Sequence, residues 1–156
     1  MPGIDECLLE AMALPGARGA AIVDWTSGLA LGSVGDPPGG DHEATAAETA
    51  EVARSAAEYQ AFAPRDDELD TERDSERDSE RDERPDSEPN PERDDRKGLP
   101  VEDLMLTTRT GFHLIRFVET TFDSSVFLYL WLDRRTGNLA LARMRLRDLS
   151  ERLVLV

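Results

Sequence analysis

Apolar residues recur along the chain in two periods, and each change of period marks an element. Ile4, Leu8, Leu9 and Met12 fall at helical spacing, with Asp5, Glu6 and Glu10 between them. That pattern predicts a short amphipathic helix over 3–14. Its first-turn acids suit the positive end of the helix dipole, and Pro15-Gly16 ends it. Ala20-Ala21-Ile22-Val23 is apolar at successive positions, as in a strand buried on both faces. Asp24-Trp25-Thr26-Ser27-Gly28 carries turn chemistry. Leu29-Ala30-Leu31 then returns as the second arm of a hairpin.

Gly35-Asp36-Pro37-Pro38-Gly39-Gly40 reads as a loop, after which Asp41 can cap a long helix running to about Ala63, before Pro64. One stripe of that helix is Ala46, Ala50, Ala53, Ala57 and Ala61; another is Thr45, Thr49, Val52, Ala56 and Tyr59. A face of alanines implies close approach to a flat surface. Beyond residue 98, three strands are predicted. Residues 101–108 put Leu104 and Leu106 on one face, and residues 112–118 follow an Arg109-Thr110-Gly111 turn. Residues 126–132 place Val126, Leu128, Leu130 and Leu132 on one face and Phe127, Tyr129 and Trp131 on the other. Asn138 can cap a last helix with Leu139, Ala142, Leu146, Leu149 and Leu153 inward.

The order is helix, two strands, helix, three strands, helix. The two double-faced strands need cover on both sides, so they are expected side by side at the centre of a sheet. The result is an α+β fold, αββαβββα: a five-stranded antiparallel sheet with the Ala-rich helix on one face and the terminal helices on the other. The strand at 101–108 becomes an edge with charge only at Glu102 and Asp103. An unpaired edge of that kind invites pairing. Val101, Leu104, Met105 and Leu106, with Ala53 and Ala57 of the long helix, are therefore expected to form a two-fold dimer interface.

Charge changes the picture in one place. The chain has 156 residues and a net charge of −15. Residues 64–98 hold 16 acids and 8 bases in 35 residues, with near-repeats of Glu-Arg-Asp-Ser. A stretch with one large apolar residue, Leu69, cannot build a core. One domain made of 1–63 and 99–156 is expected, interrupted by a disordered acidic insert at 64–98. The acidic balance argues against an extended nucleic-acid surface, which needs clustered Lys and Arg. No apolar run approaches the ~20 residues of a membrane span, and the basic opening of a secretory signal is absent. A cytoplasmic protein is expected.

Four segments, taken in order, resemble the bacterial roadblock / dynein light-chain family. They are Gly19-Ala20-Ala21-Ile22-Val23-Asp24 with Gly28-Leu29-Ala30, and the acidic-start Ala-rich helix over 43–57. Next come Leu106-Thr107-Thr108-Arg109-Thr110-Gly111-Phe112-His113-Leu114 and Asn138-Leu139-Ala140-Leu141-Ala142-Arg143 with Leu146. The resemblance implies a roadblock/profilin-like sheet, a homodimer, and a role as partner or regulator of small Ras-like GTPases. The acidic insert departs from the family, which has a short connection there.

Candidate chemistry is sparse. His42 and His113 are the only histidines and Cys7 the only cysteine, with no ligand spacing among them. His42 reads as solvent-facing and His113 as a surface or packing residue. The Gly-rich loop before the long helix lacks a following Lys-Ser/Thr and opens onto Asp41 and Glu43, so it does not cradle phosphate. No enzymatic activity, metal or cofactor is expected. Arg109 at a hairpin tip and Arg54 on the long helix are the residues an arginine-finger mechanism would need. Positioning of the GTPase's own groups is the preferred route. The alternative is a scaffold or small-molecule sensor without a GTPase, with Phe127, Tyr129 and Trp131 lining a pocket.

Overall fold

The computed structural model describes residues 3–63, 99–119 and 125–153. The proposed insert at 64–98 lies outside the described residues. The elements are α1 (Ile4–Met12), β1 (Ala17–Asp24), β2 (Leu29–Gly35), α2 (His42–Glu58), β3 (Asp103–Thr107), β4 (Gly111–Val118), β5 (Val126–Asp133) and α3 (Leu139–Arg152). This is the αββαβββα order that the hydrophobic pattern predicts.

All five strands form one antiparallel sheet in the order β2-β1-β5-β4-β3. The two double-faced strands do lie together at its centre. Ile22 pairs with Leu128 and Val23 with Phe127, and both segments are buried on each side. One face carries Ile22, Leu114, Leu128 and Leu130, which pack under α1 and α3 with Cys7, Leu8, Ala142, Leu146 and Leu149. The other carries Ala21, Val23, Phe117, Phe127, Tyr129 and Trp131, which pack with Ala46, Ala50 and Ala53 of α2. Alanine is suited to this position because a side chain of one carbon lets the helix backbone approach the aromatic rows closely.

The caps are the residues expected. Asp41 Oδ1 accepts from the Glu43 N–H at 2.9 Å, and Asn138 Oδ1 from the Leu141 N–H at 3.0 Å. They satisfy donors that the first helical turn leaves without partners. One boundary differs from expectation. α2 stops at Glu58 rather than near Ala63, because Tyr59 turns extended (φ −75°, ψ 135°) and only a single 3-10 turn, Gln60–Phe62, follows. Among the described residues, no helix is long and apolar enough to cross a membrane.

Candidate interaction surface

A five-stranded open sheet has two edges, and this one treats them differently. On β2 the pairing slips between Ile22–Gly32 and Val23–Ala30, leaving Leu31 as an extra, bulged residue. A bulge twists an edge away from regular pairing. Asp36 N donates to Arg18 O, so the outward backbone groups on the regular part of β2 belong to Ser33 and Gly35. The Gly35 carbonyl is already taken, since His42 Nε2 donates to it at 3.0 Å. His42, read from the sequence as solvent-facing, is half-buried and also caps this edge. β2 is a blunted edge.

β3 has neither bulge nor proline. Phe117 N donates to Glu102 O at 3.1 Å and Thr108 N to Gly111 O at 2.8 Å. In an antiparallel ladder the bonded positions alternate. Positions 102, 104, 106 and 108 therefore face β4, and the backbone groups of Asp103, Met105 and Thr107 point outward. Met105 and Leu106 are 46% and 57% exposed, while Leu104 and Val101 rest against the aromatic cluster. The one side-chain charge on the strand is neutralised within the chain. Arg143 Nε donates to Asp103 Oδ2 at 2.7 Å, and Arg116 lies 3.9 Å from the same oxygen.

The long helix lies over β1 and β2, so its alanine face points into the chain's own core. Ala53 is 0% exposed and touches the sheet cluster, against which Ala57 is also partly buried. Ala53 thus offers no surface to a second molecule. The exposed large apolar residues in and just beyond α2 are Val52, Tyr59 and Phe62; the stripe read from the sequence holds Val52 and Tyr59 but not Phe62.

Arg54 and Arg109 sit in different surroundings. Arg54 donates from Nη2 to the Trp25 carbonyl at 2.8 Å, bracing the β1–β2 turn. Arg109 is exposed in the β3–β4 turn. Two loops meet there, since Arg134 donates from its backbone to Thr110 O and from Nη1 to Thr108 O. Arg135 follows, and Arg18 lies 4.5 Å over the Trp131 ring at the same end of the sheet. Arg18, Arg109, Arg134 and Arg135 thus lie at one end of the sheet, with the Asp133 carboxylate among them. Arg134 and Arg135 adjoin in the sequence, but their convergence with Arg109 requires the β4–β5 pairing.

His113 stacks on Trp131, with centroids 5.8 Å apart and planes at 5°. Its Nδ1 shares a 2.6 Å hydrogen bond with the Tyr129 hydroxyl. Burial pushes the Tyr129 phenol above its usual range and holds the His113 imidazole below its own. Among the described residues, neither group has a carboxylate partner that would set up acid–base chemistry. Among the described residues no group of three or more His, Cys, Asp or Glu could hold a metal ion. The space beside Tyr129 and Trp131 is about 10 Å³, room for one water.

The His113 shift has a measurable consequence. The unfolded chain protonates at the usual histidine value of about 6.5, while the folded chain resists until lower pH. Unfolding therefore takes up a proton, and stability is expected to fall as pH drops through that range. His113→Gln should flatten this part of the curve of unfolding free energy against pH. An equal slope in the variant would assign the acid sensitivity to another group.

No protein-family model and no curated protein matches the chain. Solved structures do. MglB of Myxococcus xanthus is similar with a TM-score of 0.60 and 16% identity, over 95% of this chain and 82% of that one. The gliding protein MglB of Thermus thermophilus has the same score and identity, over 95% and 83%. A Roadblock/LC7 domain from Streptomyces avermitilis is similar at 0.56 and 14%, over 96% and 93%. At these identities the likeness establishes the fold, which is roadblock-like.

Proposed function

We propose that the chain is a non-enzymatic, roadblock-type homodimer of the bacterial cytoplasm that binds and regulates a small Ras-like GTPase. The observation that carries the reading is the open β3 edge on a roadblock-like sheet. It is regular, carries no unneutralised side-chain charge, and is flanked by Met105 and Leu106, while the opposite edge is bulged and capped. Val101, Leu104, Met105 and Leu106 make the interface, joined by the exposed residues of the α2 end in place of Ala53. Residues 1–63 and 99–156 form the one domain.

Regulation acts by positioning the GTPase's own groups. Arg54 is committed to the Trp25 carbonyl, which removes one of the two candidates for an inserted arginine. The sensor alternative has lost its pocket, because the aromatic row is packed under α2 with about 10 Å³ beside it.

Two measurements test the reading. Met105→Pro removes an outward N–H and spares the β3–β4 ladder, whereas proline at Leu104 would break that ladder as well. The Met105→Pro chain is expected to sediment as a monomer where the parent is a dimer, with a dissociation constant at least about tenfold higher. A variant that stays dimeric would locate the interface elsewhere. Purified Ras-like GTPases loaded with GDP or a GTP analogue should be retained by the immobilised parent chain; retention of none of them would remove the GTPase from the proposal.

A further inference from the structure

We propose that two copies of β3 pair about an axis through Met105, so that Arg109 of one copy meets Glu102 of the other. This rests on the dimer reading above and specifies its register. Antiparallel pairing about a two-fold axis must bring outward-facing residues opposite one another. The outward set is Asp103, Met105 and Thr107, so the axis passes through position 104, 105 or 106. With Met105 on the axis, Asp103 faces the partner's Thr107 and Met105 faces its own copy. Every outward N–H and C=O of β3 then has a partner. An axis at Leu104 leaves Thr107 without a partner inside the strand, and an axis at Leu106 does the same to Asp103. Because buried backbone groups are almost always paired, the Met105 register is selected.

Side chains agree with it. Paired residues share a sheet face, so Leu104 of one copy packs against the partner's Leu106, 57% exposed in the single chain. Met105 meets Met105 on the opposite face. Two residues past Thr107, Arg109 comes opposite the partner's Val101, whose next residue in the chain is the partner's Glu102. The Glu102 side chain is 75% exposed, with Arg116 4.0 Å away and Arg143 near enough to feel its charge. Arg109 is exposed and has no ion pair among the described residues. The two-fold axis makes this contact twice. Arg109 is then an interface residue, not one aimed at a nucleotide.

Cysteine scanning in the full-length chain reads the register directly. The native Cys7 is buried at 0% exposure, which keeps the background low. Met105→Cys, Leu104→Cys and Leu106→Cys are oxidised separately with copper–phenanthroline. Facing residues of a hydrogen-bonded antiparallel pair lie about 5.5 Å apart at Cα, within disulfide reach. Met105→Cys is expected to cross-link at least about tenfold faster than either neighbour. An equilibrated mixture of Leu104→Cys and Leu106→Cys should give the mixed covalent dimer. Fastest cross-linking by Leu104→Cys or Leu106→Cys alone would overturn the register. The charge contact is tested separately by sedimentation. Arg109→Glu and Glu102→Arg are each expected to weaken dimerisation about tenfold, counting two exposed pairs, and the double exchange should restore it to within about twofold. A double variant as weak as the singles would overturn the contact. A parent dimer with no cross-linking at any of the three positions would overturn the register and leave the dimer standing; a parent chain that is monomeric throughout would overturn both.

Discussion

Phe127→Ala should lower the free energy of unfolding by about 3–5 kcal/mol, the largest stability loss expected of any single truncation here. Phe127 is the largest of the fully buried side chains. It sits on the central strand β5, opposite Val23 of β1 and Phe117 of β4. It meets the Phe117 ring edge-on at a centroid distance of 6.4 Å, a geometry that adds to simple burial. The alanines of α2 above it have no longer side chain with which to refill the space. The cavity should therefore persist, and cavity cost is what places a substitution at the upper end of the range. Domains of this size have about 5–15 kcal/mol in total, so the variant should lose a large part of its cooperative transition in urea. Met144→Ala, at a side chain 67% exposed on α3, is the control and should change stability by less than about 0.5 kcal/mol. Similar losses for the two would mean that the aromatic row is not the core of this face.

Gly19→Ala should cost about 3 kcal/mol, the upper end of what overpacking costs, although it adds one methyl group. Gly19 pairs with Trp131 across β1 and β5. A Cβ there would collide with the Asp36 carbonyl oxygen and lie 2.8 Å from the Trp131 indole nitrogen. These two groups are hydrogen-bonded to each other, with Trp131 Nε1 donating to Asp36 O at 2.7 Å. The missing side chain is thus the space through which a strand residue reaches the start of the loop before α2. Backbone cannot yield as a flexible side chain can. Gly32 makes the contrast, because a Cβ there would be 2.7 Å from a terminal carbon of Ile4 and 3.2 Å from one of Leu8. Those methyl groups can move, so Gly32→Ala should cost clearly less. Urea midpoints of the two variants, followed by the emission of Trp25 and Trp131 together, check the order. A Gly19→Ala chain as stable as Gly32→Ala would show that the loop at Asp36 gives way.

The order of elements, the antiparallel α+β sheet and the identity of its two central strands were legible in the sequence. Each depends on a local property. The run from Ala20 to Val23 and the alternating aliphatic and aromatic rows of 126–132 leave no face for solvent, and such strands must take interior places. Asp41 and Asn138 announce helix starts because a cap bonds within three residues of itself. The end of α2 was not legible, since Gln60, Ala61 and Phe62 continue a helical pattern that the extended Tyr59 breaks.

The interaction surface was only half visible. An edge strand low in charge could be read directly, but its outward-pointing atoms depend on the register with β4, and the blunting of the other edge depends on a bulge and a histidine seven residues beyond Gly35. Periodicity said that the alanines of α2 face something flat without saying whether that surface belonged to the same chain; packing assigned Ala53 to its own sheet. It likewise tied Arg54 to Trp25 and gathered Arg18, Arg109 and Arg134 at one end. By itself the sequence determined what each segment must hide, because burial of a periodic segment is settled within a few residues. Which groups meet was decided by the tertiary structure, because contacts such as Trp131 with Asp36 join residues 95 positions apart, and only the strand order brings them together.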